Sequence, residues 1–470
     1  MEVNITKADI ISGYVAKGFL LGANVIILPF ILRMLSADEI GMNYIMASVA
    51  AFVQLADFGF STQIGRNITY VISGSRQLFK KQIDVARSEE VDYHLLATVI
   101  ETSKYIYRRI SVAVLAIMLT FGTLYMYRAT DGFTSVDNSL IIWILYSIST
   151  FFNFYYLYFN SLLTGAGKVR EGNIATILSK STYMLICFVL LFTGFGLLSV
   201  VIANLVSPFV QRYYSYIKFY DKELREGIND EKVTKEEIRG AFQTLWYNAK
   251  RSGINMLGHF VTTQAGTFLC GLFLTLSETA EWGLMLQLYG VVAGFSRSII
   301  MSQMPEYAKC YIRGERKKLL ESISDGFVVF LFISLCGILT INVLGPYLLD
   351  LIHSNTHLPF SSVMWAYGVQ LLLLNNAQNF ANIMSSKNHI PSPTATLLTA
   401  FAIILLELIT LRFLHLGLWG LIISPLVAGM AYTWWKWPQI VLKDLNASYL
   451  RLVTIGSGRW FYRVKALTIR

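Results

Sequence analysis

Twelve long apolar segments, separated by short polar stretches, follow one another along the chain. They lie near residues 10–34, 40–65, 106–127, 139–163, 172–193, 196–219, 246–274, 281–303, 320–345, 359–384, 392–414 and 417–438, with two very tight turns around 194–196 and 415–417. A helix needs about 20 mostly apolar residues to cross a bilayer, and these segments are about that long. The pattern therefore predicts an all-α polytopic membrane protein with twelve transmembrane helices.

The first two segments are joined by a turn so short that they must form an antiparallel hairpin. The first ends at Arg33, and Ser36 to Glu39 reverse the chain, with Ser36 as a helix N-cap and Glu39 as its capping-box partner. The second segment carries Asp57 and ends near Arg66. A carboxylate inside an apolar span costs roughly 2.5–3.5 kcal/mol, so Asp57 needs a partner or a water-filled cavity.

The composition supports the membrane assignment. The chain has 470 residues, of which 54% are hydrophobic and 14% charged, and its mean hydropathy is +0.52. Soluble domains carry about 25% charged residues. The first residues lack a cleavable signal pattern, so we expect the first helix to stay in the mature protein. The four cysteines have no paired spacing, so neither a disulfide framework nor a zinc site is expected.

The basic residues are distributed very unevenly between the two sides of the predicted membrane. With the amino terminus in the cytoplasm, 31 of the 39 Lys and Arg residues fall in cytoplasmic loops and 3 on the opposite side, with 5 inside spans. This asymmetry places both termini in the cytoplasm. It also explains the net charge of +10 without a nucleic-acid partner. The cytoplasmic loop 74–104 has the pattern of an amphipathic surface helix.

Short sequence matches relate the two halves of the chain. In order, Leu35-Ser36 matches Leu276-Ser277, Gly59-Phe60-Ser61 matches Gly294-Phe295-Ser296, Gly74-Ser75-Arg76 matches Gly314-Glu315-Arg316, and Val206-Ser207-Pro208 matches Ile423-Ser424-Pro425. They predict a duplicated six-helix unit: a bundle at 1–225, a cytoplasmic linker at 226–245, and a bundle with a cytoplasmic tail at 246–470. An even number of spans relates the bundles by an axis along the membrane normal, with substrate between them.

The hairpin residues also resemble a known family. Arg33, Leu35, Ser36, Gly41, Asp57, Gly59, Phe60 and Arg66 match the start of bacterial polysaccharide flippases. These belong to the multidrug/oligosaccharidyl-lipid/polysaccharide exporter superfamily, and the resemblance implies a multidrug-exporter-like fold. It also implies a flippase that moves undecaprenyl-pyrophosphate-linked oligosaccharides to the periplasmic leaflet by alternating access, for O-antigen, capsule or exopolysaccharide synthesis.

The same resemblance implies a place and partners for the protein. It predicts a bacterial plasma-membrane protein that is not an enzyme and needs no cofactor. The expected partners are the lipid-linked oligosaccharide, membrane lipids, a polysaccharide polymerase and chain-length proteins.

Two short motifs suggest other chemistry but fit it poorly. Residues 165–168 read Gly-Ala-Gly-Lys like the end of a phosphate-binding loop, but Leu162 replaces the first Gly and Val169 the Ser or Thr. We therefore expect no nucleotide hydrolysis. His353 and His357 have metal-binding spacing, but one histidine pair beside Pro359 is more typical of a loop.

Charged residues inside the spans are the candidate substrate-binding residues. We assign this role to Lys17, Asp57, Arg66, Lys180 and Arg297. Two simpler interpretations stay open: Lys17 and Asp57 neutralise each other, and Arg66 is an ordinary cytoplasmic flank. Lys180 and Arg297 have no obvious partner in the sequence, and a cavity with unpaired cations suits an anionic diphosphate headgroup.

Two other functions remain as alternatives. An ion-coupled exporter of drugs or small metabolites would use Asp57 or Glu407 as a coupling acid and would select cationic substrates. A non-transporting membrane scaffold for a polysaccharide synthase is the second alternative. The unpaired Lys180 and Arg297 argue against a site for cationic drugs.

The charge asymmetry makes a prediction about topology. Cysteines introduced at Ser88 and at Asn229 should resist an impermeant thiol reagent applied to intact cells, and one at Ser135 should react. Labelling at position 229 with protection at position 135 would reverse the assigned orientation.

Overall fold

A computed structural model describes residues 7–79, 90–229, 231–387 and 393–468. The chain divides into two compact units, Met1–Phe260 and Val261–Arg470. The helices of the first unit are α1 (Lys7–Met34), α2 (Ala37–Gln54), α3 (Phe60–Ile72), α4 (Tyr93–Ile117), α5 (Thr123–Ala129), α6 (Ser139–Tyr155), α7 (Tyr158–Gly165), α8 (Val169–Phe192), α9 (Leu197–Phe219), α10 (Lys222–Ile228) and most of α11 (Lys235–Thr263).

The second unit is also helical. Its helices are α12 (Ala265–Phe273), α13 (Leu276–Ser302), α14 (Met304–Arg313), α15 (Arg316–Leu351), α16 (Ser361–Ser386), α17 (Pro393–Arg412), α18 (Leu418–Ala431), α19 (Thr433–Asp444) and α20 (Tyr449–Thr468). The described residues contain no strand, so the predicted all-α class is confirmed.

Each predicted apolar segment coincides with one helix or with two consecutive helices. Within the described ranges, nine helical stretches are long and apolar enough to cross a membrane. The three predicted segments outside this set are α9, α11 with α12, and α16. Polar residues within them lower their hydropathy, as the asparagine-rich stretch 375–382 in α16 illustrates.

The predicted capping box at the first turn is confirmed. The Glu39 backbone N–H donates to Ser36 Oγ at 3.2 Å, and the Ser36 N–H donates to Glu39 Oε2 at 2.9 Å. Glu39 Oε1 also accepts from the Leu197 N–H at 2.8 Å. One carboxylate thus fixes the starts of two helices, α2 and α9. A side chain on Gly196, which has φ +54°, would collide with it.

The second predicted segment is not the continuous helix that its hydropathy suggested. α2 ends at Gln54, a short 3-10 turn covers Leu55–Asp57, and α3 begins at Phe60. Between them Phe58 and Gly59 adopt left-handed backbone conformations, with φ +48° and +82°. Glycine takes this conformation freely, whereas a phenylalanine there must be held by its surroundings.

The predicted surface helix at 74–104 also differs from the structure. Residues 93–104 form the first turns of α4 and continue directly into the next span. Residues 80–89 of this prediction lie outside the described part of the chain. Helix α4 begins at an Asp92 cap, whose carboxylate accepts from the Leu95 N–H at 2.8 Å.

The two units share local features that agree with an internal repeat. Gly196 and Gly417, which cap α9 and α18, have nearly the same backbone angles, with φ +54° and +56° and ψ −139° and −137°. Gly74 and Gly314 both have positive φ. A second capping box opens α13, but its cap is Thr275 rather than the Ser277 that the sequence match had paired with Ser36.

The carboxy-terminal tail forms a helix that packs along α15. The Arg459 Nε donates to both carboxylate oxygens of Asp325, at 3.0 and 3.2 Å, and its Nη1 donates to Glu321. Gly456 lies so close to the Ser324 carbonyl that a methyl group there would collide with it. These contacts fix α20 against the second unit.

The double use of Glu39 predicts a specific loss of stability. Glu39→Ala removes a capping partner and the bond to α9, so we expect a loss of about 2–3 kcal/mol in the free energy of unfolding. Glu278→Ala is the matched control, since Glu278 makes only its capping box with Thr275 among the described contacts. It should lose about 1 kcal/mol. Equal shifts in thermal unfolding in detergent would contradict the second role of Glu39.

Candidate functional site

The break between α2 and α3 places the Asp57 carboxylate at the start of α3. Its Oδ2 accepts from Ser61 Oγ at 2.8 Å, and its Oδ1 accepts from the Ser61 N–H at 3.3 Å and from the Tyr107 hydroxyl. Asp57 is 4% exposed and Tyr107 is fully buried. The positive end of the helix dipole adds to these bonds. The carboxylate therefore has neutral hydrogen-bond donors as its partners.

Aromatic side chains from α11 hold the same break in place. Trp246 packs edge-on against Phe58 at 5.7 Å and stacks on Phe60 at 5.8 Å, measured between ring centroids. Any side chain on Gly253 would collide with the Phe58 ring. These contacts explain how Phe58 keeps a left-handed conformation inside an apolar region.

The structure does not pair Lys17 with Asp57. Lys17 is exposed on α1, and no ion pair joins it to Asp57 or to another carboxylate in the described ranges. Mutual neutralisation is therefore not the arrangement found here. Arg66 is also exposed, and its Nη2 donates to Gln63 Oε1 at 2.9 Å.

Lys180 lies half-buried on α8, which packs between α1 and α9. Its ammonium group sits 4.3 Å from the centroid of the Tyr183 ring, one turn further along the helix. No carboxylate lies within ion-pair distance of it in the described part of the chain. A cation–π contact stabilises the charge by about 0.5–2 kcal/mol but leaves it unneutralised.

A polar cavity of about 280 Å³ lies inside the first unit, between α2, α6, α7 and α9. It is lined by Ala50, Val53, Gln54, Tyr146, Ser149, Thr150, Asn153, Phe154, Tyr156, Leu157, Phe159, Asn160, Asn204, Pro208, Gln211, Arg212 and Ser215. The Arg212 guanidinium lies 4.1 Å from the Tyr156 ring centroid and 5.2 Å from that of Phe159. It is the one charged side chain among these lining residues.

Amide groups also line this cavity. Gln211 Nε2 donates to Asn160 Oδ1 at 3.1 Å, and Asn153 Nδ2 donates to the Ser149 carbonyl at 3.1 Å. Of the predicted substrate-binding residues with a described position, none belongs to this lining. Its polar groups come from four helices, so the sequence of one segment does not reveal that they share a cavity. The signal in the sequence was Arg212 itself, a cation inside a span.

A second cavity of about 460 Å³ shares Phe159 and Arg212 with the first and extends towards residues 228–238. Its edge is held by His94, whose ring nitrogens bind Glu231 at 2.7 Å and Glu237 at 2.8 Å. The His94 ring is the main reason that the pKa of the Glu237 carboxyl is lowered to about 2. These bonds tie the segment before α11 and the first turn of α11 to the start of α4.

Arg297 occupies a different environment, on α13 in the second unit. Its Nε is buried, and the described residues provide neither a hydrogen-bond acceptor nor a carboxylate for it. Helix α13 packs against α16, and one turn beyond Arg297 the Met301 sulfur accepts from Asn382 Nδ2 at 3.2 Å. On α16 both amide atoms of Asn379 and the Gln378 oxygen are also buried, without partners in the described part of the chain. The region is therefore polar, and several of its polar atoms have no hydrogen-bond partner among the described residues.

Glu407 lies 2% exposed in α17, away from any described cation that could pair with it. Its Oε2 has no hydrogen-bond donor among the described residues. Its Oε1 lies against Gly266 of α12, where an added methyl would be 3.5 Å away. The Thr410 and Ser424 hydroxyls, 3.2 Å apart, join α17 to α18 one turn further on. The sequence prediction of a buried acid here agrees with this placement, and its coupling role stays a prediction.

His353 and His357 do not share a helix. His353 has φ +52° just after α15, and both residues lie in the loop before α16. The helical metal-binding geometry that their spacing allowed is therefore not formed.

No protein-family model matches this sequence, and no curated protein matches it in a sequence comparison. Solved structures do match the fold. The lipid II flippase MurJ, in an inward closed conformation, is 14% identical with a TM-score of 0.63, over 98% of this chain and 93% of MurJ. An inward-facing multidrug resistance MATE transporter of the MOP superfamily is 15% identical with a TM-score of 0.59, over 91% of this chain and 94% of that one.

The chain has the fold of MOP-superfamily transporters. An outward-facing MATE transporter of the same superfamily matches as well, at 15% identity and a TM-score of 0.54, over 95% of this chain and all of the transporter. At these identities the similarity is one of fold. It confirms the predicted exporter-like helical architecture.

The bonds of Asp57 predict how charge changes at this break affect stability. Asp57→Asn turns an acceptor oxygen into a donor that faces Ser61 and Tyr107, so we expect a loss of about 1–3 kcal/mol in unfolding free energy. Lys17→Gln should leave thermal unfolding in detergent unchanged. If Lys17→Gln were equally harmful and the double variant restored stability, the two residues would form a pair after all.

Proposed function

We propose that the protein is a flippase for undecaprenyl-pyrophosphate-linked oligosaccharides in a bacterial plasma membrane. The observation that carries the proposal is that three cations inside spans, Lys180, Arg212 and Arg297, have no carboxylate partner among the described residues. An ionised side chain within a membrane is costly, and such residues usually pair or mark a substrate path. A diphosphate brings the negative charge that these residues lack.

The chemistry of the two units suits the two parts of such a headgroup. A guanidinium binds phosphate oxygens through two parallel hydrogen bonds, and Arg297 has its Nε free for one of them. The first-unit cavity offers amides and aromatic rings around Arg212. Its 280 Å³ lies just below the roughly 300–1,000 Å³ of small-molecule pockets, so it suits one small headgroup component.

The proposed direction of transport is from the cytoplasmic side to the periplasm. The positive-inside charge pattern puts both termini and the long loops in the cytoplasm. The substrate would enter from that side, and rocking of the two bundles, 1–225 and 246–470, would expose it to the periplasm. The proposal assigns no covalent chemistry to the chain. A polysaccharide polymerase and chain-length proteins would act on the delivered units.

The structural neighbours include proteins named as a flippase and as multidrug transporters. MurJ is named as a lipid II flippase, which supports transport of a lipid-linked precursor. The MATE neighbours are named as multidrug resistance transporters, and the buried Glu407 without a donor favours an ion-coupled exporter as the second candidate. The unpaired cations favour the flippase as the first candidate, because they repel cationic drugs.

Replacing one cation tests the proposal in the producing cell. After deletion of the gene, lipid-linked units should accumulate and surface polysaccharide should disappear, and the wild-type gene should restore both. Arg297→Ala should fail to restore export. The buried diphosphate loses a charged donor, so the binding free energy of the substrate should weaken by at least about 2 kcal/mol. Arg297→Lys should restore it partly, since Lys lacks the planar fork.

Controls separate this effect from misfolding. Arg412→Gln removes an exposed charge in the same unit and should export normally. Each variant must reach the membrane in equal amount. Full export by Arg297→Ala together with loss of export by Glu407→Gln would favour the ion-coupled exporter. If loss of polysaccharide occurred without accumulation of lipid-linked units, the scaffold alternative would replace the flippase.

A further inference from the structure

A large groove opens on the second unit, separate from the cations of the proposed transport site. It lies between α15, α16, α19 and α20 and has a volume of about 1180 Å³. That volume exceeds the roughly 300–1,000 Å³ of pockets for small molecules. Its walls are mostly apolar, with Phe327, Leu331, Leu373 and Trp435 among them.

The charged residues of the groove are all positive. Lys443 and Arg451 stand at the end where α19 turns into α20, and the lining contains no carboxylate. Both side chains are exposed. Arg451 Nη1 donates to the Asn446 carbonyl at 3.0 Å, which leaves its other nitrogens free, and Lys443 has no ion-pair partner among the described residues.

The turn that carries these cations is rigidly built. The Ala447 N–H donates to the Leu442 carbonyl at 3.0 Å, and Ser448 Oγ accepts from the Arg451 N–H at 3.3 Å as the cap of α20. The Tyr449 ring packs on Phe327 at 5.7 Å. The backbone positions of the two cations are therefore fixed relative to the apolar wall.

Polar groups without a full set of partners lie beside the cations. Asn376 Nδ2 donates to the Tyr449 hydroxyl at 2.7 Å, so the Tyr449 proton remains available to another acceptor. Asn376 Oδ1 is buried and has no partner within the described ranges. The groove thus offers cations and a hydroxyl donor at one end and apolar surface along the rest.

The position of the groove fits the edge of a membrane. Trp434 and Trp435 lie where the last span reaches the side that the charge pattern assigns to the cytoplasm, and Trp rings prefer this interface. Trp435 is 43% exposed and Met430 is 47% exposed. Basic pockets between helices on the cytoplasmic side typically hold anionic lipid headgroups.

We propose that this groove binds one anionic phospholipid of the cytoplasmic leaflet, with its phosphate at Lys443 and Arg451 and its acyl chains along Phe327, Leu373 and Trp435. The lipid is a resident ligand of the second unit and is not transported. This inference goes beyond the proposed function and does not depend on the identity of the transported substrate.

Tryptophan quenching by brominated lipids tests the proposal. The full-length protein, delipidated in detergent, is titrated with phosphatidylglycerol that carries brominated acyl chains. We expect saturable quenching at low lipid ratios, reduced in amplitude by Trp435→Phe. Brominated phosphatidylcholine should require at least about tenfold more lipid, because its headgroup has no net charge.

Charge removal provides the decisive comparison. The double variant Lys443→Gln with Arg451→Gln should bind phosphatidylglycerol about 25-fold more weakly, since each basic residue near a membrane surface contributes about a fivefold attraction. The matched control, Arg316→Gln with Lys317→Gln, removes two exposed charges elsewhere on the same unit and should bind normally. All variants should unfold at the wild-type temperature.

Three results would overturn the proposal. Equal quenching by phosphatidylglycerol and phosphatidylcholine would make the groove an unselective apolar surface. Unchanged affinity in the Lys443 and Arg451 double variant would place the lipid elsewhere. If undecaprenyl phosphate displaced phosphatidylglycerol with higher affinity, the groove would be a binding site for the transported lipid.

Discussion

A backbone inside hydrocarbon must satisfy its own hydrogen bonds, because the lipid provides no partners. This constraint explains why long helices make up nearly all of the described chain, and it makes the break at 55–59 informative. There the Asp57 carboxylate accepts from Ser61 and Tyr107, and aromatic residues of α11 cover the turn. Non-helical backbone within a membrane is tolerated where protein surrounds it, and this turn meets that condition.

The same constraint separates two classes of charged residue. Asp57 accepts hydrogen bonds from the neutral donors of Ser61 and Tyr107, so it helps to hold the fold. Lys180 and Arg212 contact aromatic rings, Arg297 has an unsatisfied Nε, and the described residues do not neutralise the charge of any of the three. An anionic substrate would neutralise these cations when it binds. The charge pattern therefore supports the proposed transport.

Local signals in the sequence predicted local structure well. The Ser36 capping box and the turns at Gly196 and Gly417 depend on neighbouring residues, and they were predicted correctly. The partner of Asp57 could not be predicted, because Tyr107 is fifty residues away and many polar residues were equally available. The break at Phe58 escaped hydropathy analysis, since apolar residues continue on both sides of it. The cavity around Arg212 depends on how four helices pack, which periodicity does not encode.

Reconstitution tests the central claim most directly. Purified protein is placed in liposomes that contain a fluorescent undecaprenyl-pyrophosphate-linked oligosaccharide, and a membrane-impermeant reductant is added outside. The account predicts that wild-type protein makes the inner-leaflet fluorophore accessible, while Arg297→Ala vesicles behave like empty ones. Equal accessibility in wild-type and empty vesicles, together with gradient-driven uptake of a cationic drug by the wild type, would contradict it.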